Sequence, residues 1–240
     1  MFKTAVLSDI HGNTFALRAV LADAANRGVT LFANLGDVFH GPLDPAGTWA
    51  ILSTMDIPTV RGNQDRMLLE EGGEDETLAF VKRALPQKAH DWVYFLPSVL
   101  QVRGMCMLHG GPGDDTAYLT EEIVDGQPRL KECADILRGM PIPAPPLVLC
   151  GHSHIPRVVR CENSLVVNPG SVGLPAYRDD EPPHAMQAGD PRARYAIVEE
   201  TADGWEAELV AVDYDFASAA ALARKNGRED WALWLETGKA

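Results

Sequence analysis

Apolar positions in the first sixty residues fall into short runs separated by helical spacing. Ala5-Val6-Leu7 is such a run. Leu17, Val20, Leu21 and Ala24 then recur at three- and four-residue intervals, one face of a helix, with Asn13 as its cap, Arg27 in its last turn and Gly28 as its stop. Leu31-Phe32-Ala33 predicts a second strand, and Asp44-Pro45 supplies the cap and first-turn proline of a helix reaching about Met55. Pro58-Thr59-Val60 predicts a third strand. This alternation predicts an α/β fold with a largely parallel sheet.

Residues 65–96 change character. An acidic run, Glu70-Glu71-Gly72-Gly73-Glu74-Asp75-Glu76, reads as a solvated face and is followed by helical spacing, so the segment is expected to be a helical excursion beside the sheet. Apolar runs at 99–103 and 105–108 flank Gly104 and predict two strands joined by a tight turn. The proline-rich stretch 140–146 reads as a stiff lead-in to a strand at 147–150. Further strands are expected near 157–160, 164–167, 193–198 and 206–212, with closing helices near 216–225 and 229–235. Residues 176–188, rich in acidic residues and proline, read as a surface loop.

With 240 residues and 46% hydrophobic content, the chain is expected to form one domain over 1–240. No apolar run approaches the roughly 18 residues that span a bilayer, and the start lacks a signal peptide's apolar length, so a cytoplasmic protein with no membrane partner is expected. A formal net charge of -13 argues against binding an extended nucleic acid, which needs clustered Lys and Arg, and leaves a small phosphorylated substrate as the expected partner. Cys106, Cys133, Cys150 and Cys161 form no CxxC pair and are expected to be reduced core thiols.

Five segments place a metal-capable side chain directly after an apolar run: Leu7-Ser8-Asp9-Ile10-His11, Leu35-Gly36-Asp37, Arg61-Gly62-Asn63, Leu108-His109-Gly110 and Cys150-Gly151-His152-Ser153-His154. In an open α/β sheet the loops beyond the carboxyl ends of the strands converge on one crevice, so these groups can meet there. Taken singly, an Asp-x-His or His-x-His is more often a turn or a satisfied polar pair than a site, Asp37 and Asn63 can each cap a turn, and His109 can be a core histidine bonded to backbone. Together they offer imidazoles, two carboxylates and one amide, the mixed N and O donors that borderline divalent ions favour. Gly36, Gly62, Gly110 and Gly151 let backbone approach closely in a crowded site.

In that order of motifs the chain resembles the calcineurin-like metallophosphoesterases, and among them the small bacterial and archaeal phosphodiesterase branch. His40-Gly41-Pro42, Leu96-Pro97, His109-Gly110-Gly111-Pro112, Asn168-Pro169-Gly170-Ser171-Val172-Gly173, Gly189-Asp190-Pro191-Arg192 and Tyr214-Asp215 extend the similarity over nearly the whole chain. The resemblance implies hydrolysis of a phosphate ester, a diester in preference to a monoester, by water activated on two divalent ions drawn from Mn, Fe, Ni or Zn. It implies that Asp9, His11, Asp37 and His154 hold one ion and that Asp37, Asn63, His109 and His152 hold the other, with Asp37 as the bridge. It also implies an α/β fold of two packed mixed β-sheets flanked by helices, a four-layer αββα sandwich, in place of a simple doubly wound sheet. Two such ions and two carboxylates leave a site charge of about +2, enough to attract a phosphate locally.

The chain departs from the family at one informative position. Many members carry Asn-His-Asp or Asn-His-Glu where this chain has Asn63-Gln64-Asp65. An amide donates a hydrogen bond but does not titrate in the working range, so Gln64 cannot supply a proton to the leaving oxygen. The candidate catalytic side chains are therefore Asn63, Gln64 and His40, the last as a substitute acid or phosphate contact, set against its plain reading as a loop histidine bonded to backbone. Asn168-Pro169-Gly170-Ser171 reads as a turn that positions a loop near the metals. Arg178 and Arg192 read either as phosphate contacts or as surface ion pairs with their acidic neighbours. A metal-binding scaffold without turnover is the competing function, and the complete ligand set favours the enzyme. No GxGxxG segment follows the first strand, which counts against a nucleotide-cofactor protein.

Overall fold

The computed structural model describes residues 3–71 and 75–240, so Gly72, Gly73 and Glu74 of the acidic run lie outside the described residues, while Glu70, Glu71, Asp75 and Glu76 are exposed as expected. In chain order the first elements are β1 (Lys3–Leu7), α1 (Thr14–Asn26), β2 (Leu31–Asn34), α2 (Pro45–Leu52), α3 (Asn63–Met67), α4 (Glu76–Ala84), α5 (Gln87–Phe95), β3 (Val99–Val102), β4 (Met105–Leu108), β5 (Glu121–Val124), β6 (Gln127–Leu130) and α6 (Cys133–Ile136). They are followed by β7 (Leu147–Leu149), β8 (Arg157–Cys161), β9 (Ser164–Asn168), β10 (Ala176–Asp180), β11 (Pro183–Gln187), β12 (Ala193–Thr201), β13 (Gly204–Val212), α7 (Phe216–Lys225) and α8 (Glu229–Thr237). The helix caps are those expected: Asn13 Oδ1 accepts from Ala16 N at 3.1 Å, and Asp44 Oδ1 accepts from Gly47 N at 2.8 Å.

Two mixed sheets form the centre. One has the order β13-β12-β1-β2 and the other β3-β4-β7-β9-β8; β1 with β2, β4 with β7, and β7 with β9 run parallel. The period of two along the strands decides which core each residue joins. Val6, Met105, Met107, Leu149, Val167 and Ala196 fill the space between the sheets. Ala5 and Leu7 face the opposite way, against Leu17, Val20 and Ala24 of α1, while Cys106, Leu108 and Val148 pack against Ile136 of α6. Buried on both faces, β1, β4 and β7 read as continuous apolar runs rather than alternating ones, the usual pattern of covered parallel strands. The packed pair of mixed sheets flanked by helices is the architecture expected, and a single doubly wound sheet is excluded. Among the described residues no helix is long and apolar enough to cross a membrane.

Several expectations need correction. The predicted strand at Pro58-Thr59-Val60 is reduced to one parallel bridge between Thr59 and Asn34. Pro58 has no N–H to continue a ladder, and Arg61 N turns away to Pro97 O at 2.8 Å. Residues 176–188 are not a loop, because β10 and β11 pair antiparallel from Ala176–Gln187 to Asp180–Pro183. Their outward positions are so polar that no apolar face advertised the strands. A second hairpin, β5 with β6, was missed although Asp125-Gly126 at its turn is a hairpin signal. Cys106 and Cys150 are buried free thiols as expected, but Cys133 and Cys161 form a disulfide. Their separation of 28 residues gives no sequence sign of it, because the packing of α6 on β8 brings them together.

Candidate metal centre

The parallel strands aim their carboxyl ends at one edge of the two sheets, and the loops that follow are laced together there. Asp9 N donates to Gly36 O at 3.0 Å, His11 N to Asp37 O at 3.0 Å, and Gly151 N to His109 O at 2.7 Å. The approach is close enough to demand glycine. A Cβ on Gly62 would stand 2.1 Å from Asp37 Oδ1, and one on Gly151 would stand 2.0 Å from Ser8 Oγ. Asp9, His11, Asp37, His109 and His154 are buried, and His152 is half-buried.

Backbone strain concentrates in the same place. Of the eight non-glycine described residues with positive φ, five are Asp9, His11, Asp37, His152 and His154, at φ between 52° and 66°. The other three, Arg103, Asp125 and Glu162, sit in hairpin turns. Left-handed backbone costs a side-chain-bearing residue about 1–2 kcal/mol, and such outliers persist where the surroundings over-determine them.

The donor atoms separate into two groups, Asp9 with His11 and His154, and Asp37 with His109 and His152, each spanning no more than 4.8 Å between ligand atoms. Hydrogen bonds at the far side of each ring set its tautomer. His11 Nδ1 lies 2.8 Å from His40 O, His154 Nδ1 2.7 Å from Leu174 O, and His109 Nδ1 2.7 Å from Leu35 O. A carbonyl only accepts, so each Nδ1 donates a proton to it and each ring turns Nε2 inward. The inward Nε2 atoms of His11 and His154 lie 3.2 Å apart. His109 Nε2 faces two oxygens, Asn63 Oδ1 at 3.0 Å and Asp37 Oδ2 at 3.3 Å.

Asp9 shows the same need for a cation. Its Oδ2 accepts from Ser8 Oγ at 2.5 Å and from His152 N at 3.1 Å, whereas its buried Oδ1 has no hydrogen-bond partner among the described residues and lies 3.2 Å from His154 Nε2. Imidazole nitrogens and carboxylate oxygens converging this closely fit divalent cations, and a borderline ion suits this mixture of donors. The two groups fit two divalent ions.

Ionisation follows from burial and neighbours. Burial alone would raise Asp9, but the imidazoles of His154 and His109 hold it down to about 2. Asp37 is likewise pulled well below the usual carboxylate range, against its burial, by His109, His11 and His152. Burial pushes His11 and His152 down to about 4, so both are neutral at neutral pH. Burial opposes charge on His109 too, yet the adjacent Asp37 carboxylate lifts it to about 10. In the metal-free chain a proton on His109 thus takes the place a cation would occupy.

The remaining candidates line the same cleft of about 230 Å³, together with Arg178, Arg228, Trp231 and Trp234. Gln64 N donates to Asp37 Oδ1 at 2.9 Å, and its side-chain Oε1 has no partner among the described residues. His40 is not the backbone-bonded loop histidine of its plain reading: both ring nitrogens are buried without a partner among the described residues. Burial lowers its pKa. Arg192 resolves to an ion pair with Asp190, Nη2 to Oδ2 at 2.9 Å, whereas Arg178 lines the cleft mouth. The Asn168–Ser171 turn holds the site loops: Asn168 Nδ2 donates to Gly151 O at 2.8 Å and Ser171 Oγ to Asp9 O at 2.8 Å.

Sequence reasoning missed three supports. Asp65, fully buried, accepts from the backbone N–H groups of Asp37 at 2.8 Å, Val38 at 3.0 Å and Gly62 at 3.1 Å, and burial followed by the Asp37 charge raises it to about 7. Its place at the third position of α3, a capping position, was the available signal. Ser8 orients Asp9. Trp231 of α8 packs edge-on against His11 with ring centroids 5.7 Å apart, a contact that no local pattern announces.

Comparison with known proteins agrees with this geometry. The profile of the calcineurin-like phosphoesterase superfamily domain matches residues 2–189. An uncharacterized protein of Methanocaldococcus jannaschii is 27% identical over 248 residues, covering 95% of this chain and 94% of its own. The crystal structure of a metallophosphoesterase from Sphaerobacter thermophilus superposes with a TM-score of 0.76 at 25% identity, covering 99% of both chains. A hypothetical protein from Pyrococcus horikoshii shares the fold, with a TM-score of 0.74 at 20% identity and 99% coverage of both chains.

Proposed function

The chain belongs to the calcineurin-like phosphoesterase superfamily and carries out metal-dependent phosphoester hydrolysis, and from this premise we propose that its substrate is a small phosphodiester cleaved at a dinuclear centre. The observation that carries the reading is the pair of donor groups, Asp9 with His11 and His154 and Asp37 with His109 and His152, together with the partnerless Asp9 Oδ1. Asp9, His11 and His154 would hold one ion and Asn63, His109 and His152 the other, with Asp37 shared; Mn, Fe, Ni or Zn each suits the donors. Such ions would supply acidification of water and neutralisation of charge on the phosphoryl oxygens.

The chain's own groups then do the positioning. Asp65 and Gln64 fix Asp37 through its backbone N–H and its Oδ1. Asn63 lines the cleft, where its amide can meet a phosphoryl oxygen, and His40, its pKa lowered by burial, offers an N–H to the phosphate or the leaving oxygen. The working unit on this reading is one domain over 1–240, because Arg228, Trp231 and Trp234 reach the cleft from beyond residue 189, where the family match ends. The test is turnover by metal-reconstituted protein of aryl phosphodiesters, cyclic nucleotides, dinucleoside polyphosphates and the matching monoesters, with metal content read by elemental analysis. Two ions per chain and faster diester than monoester cleavage are expected. Full metal occupancy without turnover of any ester would favour the scaffold reading instead.

A further inference from the structure

Gln64 lines the cleft with an amide, which carries no charge and yields no proton. The cleft contains a cation from another source. Arg228 precedes α8, lies outside the 2–189 match, and lines the same cleft as His40 and Gln64. It is not a freely solvated side chain. Asp230 takes its Nε at 2.9 Å and its Nη2 at 2.7 Å, Thr77 Oγ1 takes Nη1 at 2.6 Å, and the guanidinium lies 5.6 Å over the Trp231 ring. These bonds occupy three of the five N–H donors and leave one hydrogen on each Nη available to an anion. Beside it the His40 ring, only 8% exposed, has neither nitrogen in a hydrogen bond of normal geometry, with the Gln64 side chain as a polar neighbour.

We propose that Arg228 is a catalytic residue that contacts the phosphate with its two unused N–H groups, supplying from the C-terminal helix the charge that Gln64 cannot. The inference rests on the phosphoesterase reading above. Asp230, Thr77 and Trp231 are positioning residues for the guanidinium, so the fork is oriented before substrate arrives and loses little freedom on binding.

Removing one preorganised donor from charge developing in a transition state costs about 10²–10³-fold in turnover. Arg228→Gln should therefore lower kcat for diesters about 100-fold and steepen the dependence of rate on leaving-group pKa, and Arg228→Lys, which keeps a charge but loses the fork, should fall between. The decisive measurement is a double-mutant cycle with Gln64→His. Its gain in kcat should be at least tenfold larger in the Arg228→Gln background than in the parent, because the histidine restores there what the arginine supplied. Equal effects in both backgrounds, or an Arg228→Gln variant within threefold of the parent with an unchanged leaving-group slope, would overturn the proposal. Calorimetric binding of inorganic phosphate to the metal-loaded protein gives a readout without turnover: Arg228→Gln should weaken it about tenfold, and unchanged affinity counts against the contact. If no ester is hydrolysed under any metal, the phosphoesterase reading fails while the phosphate titration still decides whether Arg228 binds the anion.

Discussion

Gly62→Ala tests the construction of the site in one atom. Gly62 has φ -84° and ψ 172°, a conformation open to any residue, so the substitution introduces no backbone strain and acts only through its methyl. That methyl would stand 2.1 Å from Asp37 Oδ1 and 2.6 Å from Asp37 N. The backbone side cannot yield easily, since Asp37 N is held by Asp65 Oδ2 at 2.8 Å. The carboxylate must therefore swing by roughly 1 Å, losing the Gln64 N–H bond of 2.9 Å and its place 3.3 Å from His109 Nε2. Overpacking costs about 1–3 kcal/mol and a hydrogen bond to a charged group about 1.5–3 kcal/mol, which together predict a loss of about 2.5–6 kcal/mol. For a chain of this size that lowers the melting temperature by about 5–24 °C. A catalytic group displaced by about 1 Å loses on the order of 100-fold in rate. Thermal unfolding, metal content and diester turnover read the three effects. Gly28→Ala is the control, because Gly28 has φ +72° and nothing within 4 Å of a Cβ, so it should cost on the order of 1 kcal/mol while leaving turnover intact. A Gly62→Ala protein that binds two ions and turns over within threefold of the parent would refute the close-packing argument.

Asp37→Asn should retain the fold yet lose ions from both donor groups and turnover by several orders of magnitude; elemental analysis showing two ions per folded chain would sink the shared-ligand assignment. His40→Ala should slow esters with poor leaving groups more than those with good ones, and equal losses across a leaving-group series would exclude contact with the departing oxygen. In chelator-treated protein the folded pKa of His109, about 10, exceeds its unfolded value near 6.5, so its contribution to stability is complete below about pH 6.5 and disappears as pH rises through 10. Denaturant midpoints of the chelated chain should fall over that window, and those of the metal-loaded chain should fall less, because the ion replaces the proton. A chelated chain equally stable at pH 7 and pH 10 would contradict the Asp37–His109 pairing.

The sheets and the donor set were legible in the sequence for a common physical reason. Strands covered on both faces are apolar throughout, and a polar residue that interrupts such a run at its carboxyl end stands out, as Asp9, Asp37, His109 and His152 do. The hairpin β10–β11 was illegible because its stability lies in backbone pairing while its side chains, Arg178, Asp179 and Asp180 among them, are polar. The roles of Asp65 and Ser8 were hidden for another reason: they act on backbone N–H groups and on a neighbouring carboxylate, and no spacing rule encodes that geometry. The contribution of α8 was the least readable, since Trp231 and Arg228 meet His11 and His40 only after the chain has crossed both sheets.

The left-handed backbone at Asp9, His11, Asp37, His152 and His154 sets up an evolutionary conflict at single codons. At each position the chemistry asks for a side chain and the main chain would be more comfortable without one. A descendant released from turnover could accept glycine at these positions and regain on the order of 1 kcal/mol at each. Loss of activity in this lineage should therefore leave a recognisable trace, in which ligands decay preferentially to glycine and the decayed proteins melt at higher temperatures than their working ancestors.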